Sequence, residues 1–196
     1  ASINKSIINI KKLSIKKWFD LNSIQVEGKI DLSKKNTYYD INLRFDKSNL
    51  QSLLTHVNTT LPTKKNKKII ESISVSSNIK GDSSKLYLNN TKVNLDDTLI
   101  NMNLIVENLN LNSMSSDIVI NELNLNKYID FNKKETKNNN FDISEYIKPL
   151  KTISHKSSIH IDKLIAKNTT VLNVNAKLDI NKGDISIKPF TFELYG

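Results

Sequence analysis

The last forty residues carry apolar side chains with a period of two. From Leu172 the even positions read Leu172, Val174, Ala176, Leu178 and Ile180, and the odd positions between them read Asn173, Asn175, Lys177 and Asp179. Asn181-Lys182-Gly183-Asp184 then reads as a turn, followed by Ile185, Ile187 and, past Pro189, by Phe190, Phe192 and Leu194. Such alternation places one face of a pleated strand against apolar material and the other against water.

The same pattern recurs upstream. Ile8 and Ile10 alternate, as do Val26, Gly28, Ile30 and Leu32; Ser33-Lys34-Lys35-Asn36 turns the chain into Tyr39, Ile41, Leu43 and Phe45. The period then changes. Asp46 or Ser48 can cap a helix over about 48–60, with Leu50, Leu53, Leu54 and Val57 on one side and Pro62 ending it. Lys64-Lys65-Asn66-Lys67-Lys68 reads as a solvated loop. Strand patterns resume with Ile73, Val75 and Ile79, then Leu86 and Leu88, a turn or bulge at Asn89-Asn90, and Val93 with Leu95. Asp96-Asp97 turns into Ile100, Met102, Leu104 and Val106, and Ile118 with Ile120 marks another strand. Leu123, Leu125, Tyr128 and Ile129 predict a short helical turn. Residues 131–141 are rich in Lys and Asn and predict a flexible loop. A helix follows, capped by Asp142 or Ser144 and carrying Ile143, Tyr146, Ile147 and Leu150, with Pro149 shortening it. Ile159, Ile161 and Ile165 form the strand before the final pair. The chain thus divides into a sheet segment with one inserted helix (1–130), a loop (131–141), and a helix with a β-meander of the same domain (142–196).

Composition narrows the function. Hydrophobic residues make up 38% and aromatics 7%, which gives little apolar area for a thick two-layer core. With only Gly 4 and Pro 3, asparagine serves the turns instead. The net charge of +9 is nearly all lysine, with Arg44 the single arginine. Readers of bases and phosphates lean on arginine's planar fork, so nucleic acid is not an expected partner. The Lys, Asn and Ile excess fits the coding bias of an AT-rich genome better than a selected basic patch, with a mild attraction to anionic lipid as the alternative. The absence of cysteine removes disulfides, thiolate metal sites and a cysteine nucleophile.

Catalytic and metal chemistry finds no constellation. His160 alternates with Ile159 and Ile161 and faces the polar side; His56 falls on the predicted helix, and His155 in a linker. All three read as surface histidines. Glu71, Glu107 and Glu122 sit on separate strands without a partner in view, and Asp96-Asp97 is turn chemistry. No phosphate loop, nucleophile elbow or zinc signature occurs. No enzyme, cofactor or metal is expected. Trp18-Phe19 after Lys16-Lys17 fits either a membrane-interface anchor or a side chain packed at a sheet end.

The final segment adds a resemblance. Ser158 to Asn168, Val171 to Leu178, and Gly183 to Gly196 with its Lys188-Pro189-Phe190 and Leu194-Tyr195-Gly196 elements resemble the C-terminal region of the AsmA family. Ile118 to Asp130, through Ile120-Asn121-Glu122-Leu123-Asn124-Leu125-Asn126-Lys127-Tyr128-Ile129, resembles a second family segment, with Lys127 where the family often has Arg. The Leu50 to Pro62 helix is similar to a third. The resemblance implies a mostly β, elongated, curved antiparallel sheet with a hydrophobic groove and two or three short helices. It implies a periplasmic module anchored to the inner membrane of Gram-negative bacteria through a missing N-terminal anchor. It also implies a part in outer-membrane biogenesis, carrying phospholipid between inner and outer membrane. The chain has no initiator Met, begins within a strand-like pattern and ends straight after one, so it reads as a piece of a longer protein.

On that reading Leu172, Val174, Ala176, Leu178, Ile180, Ile185, Ile187, Phe190 and Phe192 face phospholipid acyl chains. The bland alternative, a face covered as ordinary core, stands beside it. A different class of function is an assembly factor for outer-membrane proteins that works through exposed β-edges.

Overall fold

The computed structural model describes residues 2–4, 6–18, 21–49, 72–108, 112–127, 131 and 148–194. These form one open, curved sheet of eleven strands whose spatial order is the chain order. The strands are β1 (Ser2–Asn4), β2 (Ile7–Trp18), β3 (Leu21–Asp31), β4 (Tyr38–Asn49), β5 (Ser72–Gly81) and β6 (Lys85–Leu95), continuing with β7 (Thr98–Glu107), β8 (Ser113–Asn124), β9 (Ser154–Ala166), β10 (Thr169–Asn181) and β11 (Asp184–Leu194).

Every neighbouring pair is antiparallel except one. β8 and β9 run parallel, with Ile118 opposite Ile159 and Ile120 opposite Ile161, so the expected all-antiparallel meander is corrected at this joint. A parallel joint requires the connection to return from one end of the strands to the other. The described ends of that connection agree. Asn126, at the end of β8, exchanges two hydrogen bonds with the backbone of Lys167 at the end of β9. At the opposite end the Lys182 N–H donates to the Ile153 carbonyl at 3.0 Å.

The described residues do not confirm the predicted helices. Among the described residues there are two short 3-10 turns, Leu125–Lys127 and Lys148–Thr152. The proposed helix caps Asp46 and Ser48 belong to β4, where Ser48 pairs with Ile73 and Asn49 with Ser72. The alternation of Tyr39 to Phe45 carries the strand on, and a bulge between Phe45 and Ser48 absorbs the break in period. The remainder of the 48–60 helix, the Lys64–Lys68 run, most of the 131–141 loop and residues 142–147 of the second helix lie outside the described residues. Of the helical turn, Leu123 ends in β8 and Leu125 begins the first 3-10 turn, whereas Tyr128 and Ile129 are outside.

Turns and bulges use the residues that tolerate positive φ. Asp96 (53°), Lys182 (49°) and Gly183 (97°) close two-residue hairpins. Asn90 (49°) sits in a bulge within β6, between Leu88 and Thr91 in the pairing with β7. Asn173 (50°) occupies another in β10. Bulges raise local twist and bend the strand that carries them. Gly28 is held in β3 by close backbone approach: a Cβ there would lie 2.1 Å from the Asp40 carbonyl oxygen.

Candidate functional site

The pairing registers turn the alternation of each strand into rows that cross the whole sheet. One row reads Ile15, Ile24, Phe45, Val75, Val93, Ile100, Ile120, Ile161 and Val174, from β2 to β10. The next reads Leu13, Val26, Leu43, Ser77 and, across a bulge, Thr91, Met102, Ile118, Ile159, Ala176 and Phe190. A third runs Ile10, Gly28, Ile41, Ile79, Leu88, Leu104, Ser116, Ser157, Leu178 and Ile187. A rim row, next to the turns, holds Ile8, Ile30, Tyr39, Gly81, Leu86, Val106, Met114, His155, Ile180 and Ile185. At about 4.8 Å per strand, rows from β2 to β11 extend roughly 43 Å.

Burial distinguishes the two faces of the sheet. Among the described residues the buried apolar side chains are Val106, Ile161, Val174 and Ile180, all on the face that holds these rows. The buried polar ones are there too, with the exception of Asp31. Most of the remaining members of that face are half-buried. At the two edges they open to solvent: Leu13 is 49% exposed on β2, and Phe190 is 55% exposed on β11. Among the described residues, no second sheet and no helix packs across the face; the strands contact their sheet neighbours and the two 3-10 turns.

The nine residues singled out from sequence separate into three groups. Val174 and Ile180 are buried, and Ala176 and Leu178 are half-buried on the same face. Ile185, Ile187, Phe190 and Phe192 are all exposed, and the Phe190 and Phe192 rings meet at 5.7 Å between centroids. Leu172 is set apart from the rows by the positive-φ Asn173, and its pairing partners are Lys163 and Glu193. Toward that far end of the strands the apolar register passes instead through Leu123, Leu164, Val171 and Leu194. Sequence reasoning missed this shift because Val171 and Leu172 are both apolar, and only the bulge decides which one the row continues through.

The opposite face is mainly polar, with Leu99, Ile105 and Val119 among its apolar members. Asn9, Lys29, Asp40, Lys80 and Tyr87 align on it, with Asp40 bridged to Lys80 at 3.1 Å and accepting from Asn78 at 2.9 Å. These contacts hold the Asp40 carboxyl below the usual carboxylate range, the Asn78 hydrogen bond most of all. Glu107 and Glu122, which the sequence left without partners, pair with Lys85 at 2.6 Å and Lys163 at 2.9 Å. Such exposed pairs contribute little stability each. Asp96-Asp97 does form the β6–β7 turn, where Asp96 accepts from the Ser72 N–H at 2.9 Å and Asp97 meets Lys127 at 2.7 Å.

The histidines differ from the expectation in one case. His160 faces the polar side, bonded to Asn175 at 2.7 Å and to Asp162 at 3.0 Å. His155 is not in a linker. It is the second residue of β9 and stands in the rim row of the apolar face, half-buried. Its Nε2 lies 2.9 Å from Ser116 Oγ, and that oxygen lies 2.8 Å from Ser157 Oγ. Burial pushes the His155 pKa down. The period of two was already present in Ile161, Ile159, Ser157 and His155, but two polar residues at its start hid it. His56 lies outside the described residues, as does Phe19.

Among the described residues no group of His, Asp and Glu side chains converges as a metal site, and no helix is long and apolar enough to cross a membrane. The sequence matches no protein-family model and no curated protein, and the fold matches no solved structure.

Proposed function

We propose that this chain is a non-enzymatic module whose apolar face lines a hydrophobic groove for phospholipid. It is the periplasmic part of an AsmA-like protein anchored to the inner membrane, and it moves lipid toward the outer membrane in outer-membrane biogenesis. The observation that carries the reading is the set of mostly apolar rows that cross a single curved sheet. A compact domain closes such a face with a second layer. Here the apolar side chains are most exposed at the two edges, where a lipid would enter and leave. Each acyl methylene withdrawn from water onto this face contributes about 0.8 kcal/mol. A conduit needs no directional polar contacts along its length, which fits rows of Ile, Leu, Val and Phe. The mechanism is passive: the apolar face shelters the chains, and headgroups stay at the rim.

The test is a photo-crosslinking amino acid placed at Ile187 and, on the opposite face of the same strand, at Ser186. Phospholipid captured at Ile187 and not at Ser186 is the expected result. Capture at neither position in folded protein rejects the groove.

A second reading rests on β11, an edge strand exposed along its whole length. Unpaired edge groups are templates for an added strand, as an assembly factor for outer-membrane proteins would use. Pro189 and the bulge beside it interrupt this edge, so the groove is the better supported of the two. Crosslinking of a polypeptide rather than lipid from the β11 edge would favour the second reading.

A further inference from the structure

The apolar face buries two hydrogen-bonded polar groups, the Ser77–Thr91 pair at 2.7 Å and a chain of Ser116, Ser157 and His155, and the second includes a titratable ring. Ser116 and Ser157 are 6% and 5% exposed, and with His155 they form a hydrogen-bonded chain inside otherwise apolar rows. Burying three polar groups is costly unless each is satisfied. In the neutral state the account closes for the buried end. Ser157 donates to Ser116, Ser116 donates to Nε2, and Nδ1 carries the ring hydrogen. That Nδ1–H has no partner among the described residues. Tyr39, the other polar-tipped member of the rim row, is already committed, its hydroxyl donating to the Asp82 carbonyl at 3.3 Å.

Protonation would reverse the relay. An imidazolium donates from both nitrogens, so Nε2–H gives to Ser116, Ser116 gives to Ser157, and the Ser157 hydroxyl hydrogen is freed. Nδ1–H and the Ser157 O–H then become two donors on one side of the sheet. We propose that His155, with Ser116 and Ser157, forms a rim site for the phosphate of a phospholipid whose acyl chains lie on the apolar face. This rests on the groove reading and gives it a headgroup position.

The surroundings favour an anion. From β8 the neighbours of His155 on this face are Met114 and Ser116, and from β10 they are Ile180 and Leu178. The register sends Lys156, Asp179 and Asp184 to the opposite face. At the end of the strands the 3-10 turn lays Lys151 against Gly183, beside Lys182. Among the described residues, no carboxylate of β8 or β10 stands beside His155 on this face to neutralise an imidazolium. A phosphodiester, with one negative charge and two unesterified oxygens, matches one cation and two donors. His155 is the second residue of its strand, so a headgroup there sits at the rim while its chains run inward along the rows.

Histidine side-chain NMR titration of the full chain tests this with two soluble lipids that share their acyl chains, dihexanoyl phosphatidylglycerol and dihexanoylglycerol. The phosphodiester should raise the His155 pKa by about one unit, equivalent to tenfold tighter binding to the protonated ring, and leave His160 unmoved. Dihexanoylglycerol should shift methyl signals of the apolar face without raising the His155 pKa. His155→Gln should abolish the pH dependence of phosphatidylglycerol affinity. If both lipids shift the apolar methyls and His155 titrates unchanged, the rim site is wrong and the groove stands. If neither lipid perturbs the apolar face, the groove reading falls and the rim site with it. A rise with palmitate but not with phosphatidylglycerol would overturn the phosphate assignment in favour of a carboxylate.

Discussion

Individual side chains on this sheet take their properties from the face that the register assigns them. His155 and His160 are five residues apart on one strand, and burial lowers the pKa of the first. Odd spacing puts them on opposite faces, one among Met114 and Ile180, the other beside Asn175 and Asp162. The direction of the His155 shift sets a pH dependence of stability. The folded state binds its proton less readily than the unfolded chain, whose histidine titrates near 6.5. Stability from this group is therefore full above that pH and declines as pH falls through it toward the lower folded value. The carboxylates work in a separate range. Asp82, held low chiefly by the Ser84 hydroxyl, and Asp97, held low by Lys127, lose their contributions only as pH drops below their ordinary value of 3.8. Urea denaturation of the native chain should lose stability as pH falls through about 6.5, and His155→Gln should flatten that decline. An unchanged slope in the variant would place the responsible group elsewhere.

At the scale of the strand, one alternating pattern serves two physical situations. β10 and β11 read alike in sequence, but β10 has a neighbour on each side whereas β11 has only one. Val174 is consequently 3% exposed and Phe192 48% exposed, although both were assigned to the same lipid-facing set. A charge at the first position must be buried without a partner; at the second it can reach water. Val174→Asp should destabilise the fold by several kcal/mol, in the range of other buried unpaired charges. Phe192→Asp should cost less than about 1 kcal/mol, as surface changes do. Thermal unfolding followed by circular dichroism separates the two. Equal losses would mean that β11 is covered as fully as β10.

The whole molecule is a sheet in which each strand leans on its immediate neighbours, with its contacts concentrated between consecutive strands. Stability in such an arrangement is close to a sum of nearest-neighbour terms, as in repeat proteins. Edges have one such term and inner strands two. Amide hydrogen exchange should therefore show graded protection, fastest in β1 and β11 and slowest through β7 to β9, where Val106 and Ile161 are buried. Uniform protection from β1 to β11 would indicate a single cooperative unit and contradict this picture. The same linear build suits a conduit, because lengthening the sheet by a strand lengthens the apolar face without altering the strands already present.

The sequence by itself determined the strands and their faces. Alternation such as Ile100, Met102, Leu104 and Val106 leaves a strand few options, because a shift of one residue would turn every apolar side chain toward water. It also determined the turn at Asp96-Asp97, and Asn89-Asn90 was recognisable as a turn or bulge, since few residues accept positive φ. Tertiary structure alone decided the rest. Asp46 and Ser48 read as helix caps, but pairing with Ser72 and Ile73 carried Ser48 and Asn49 into β4, because strand hydrogen bonds outweigh a local cap. The parallel joint of β8 and β9 was not legible, because alternation is the same in either direction. Nor was the His155, Ser116 and Ser157 island, whose members lie up to 41 residues apart and meet only through that joint. Which apolar side chains are sealed or open depends on strand neighbours, and a linear pattern carries no record of them.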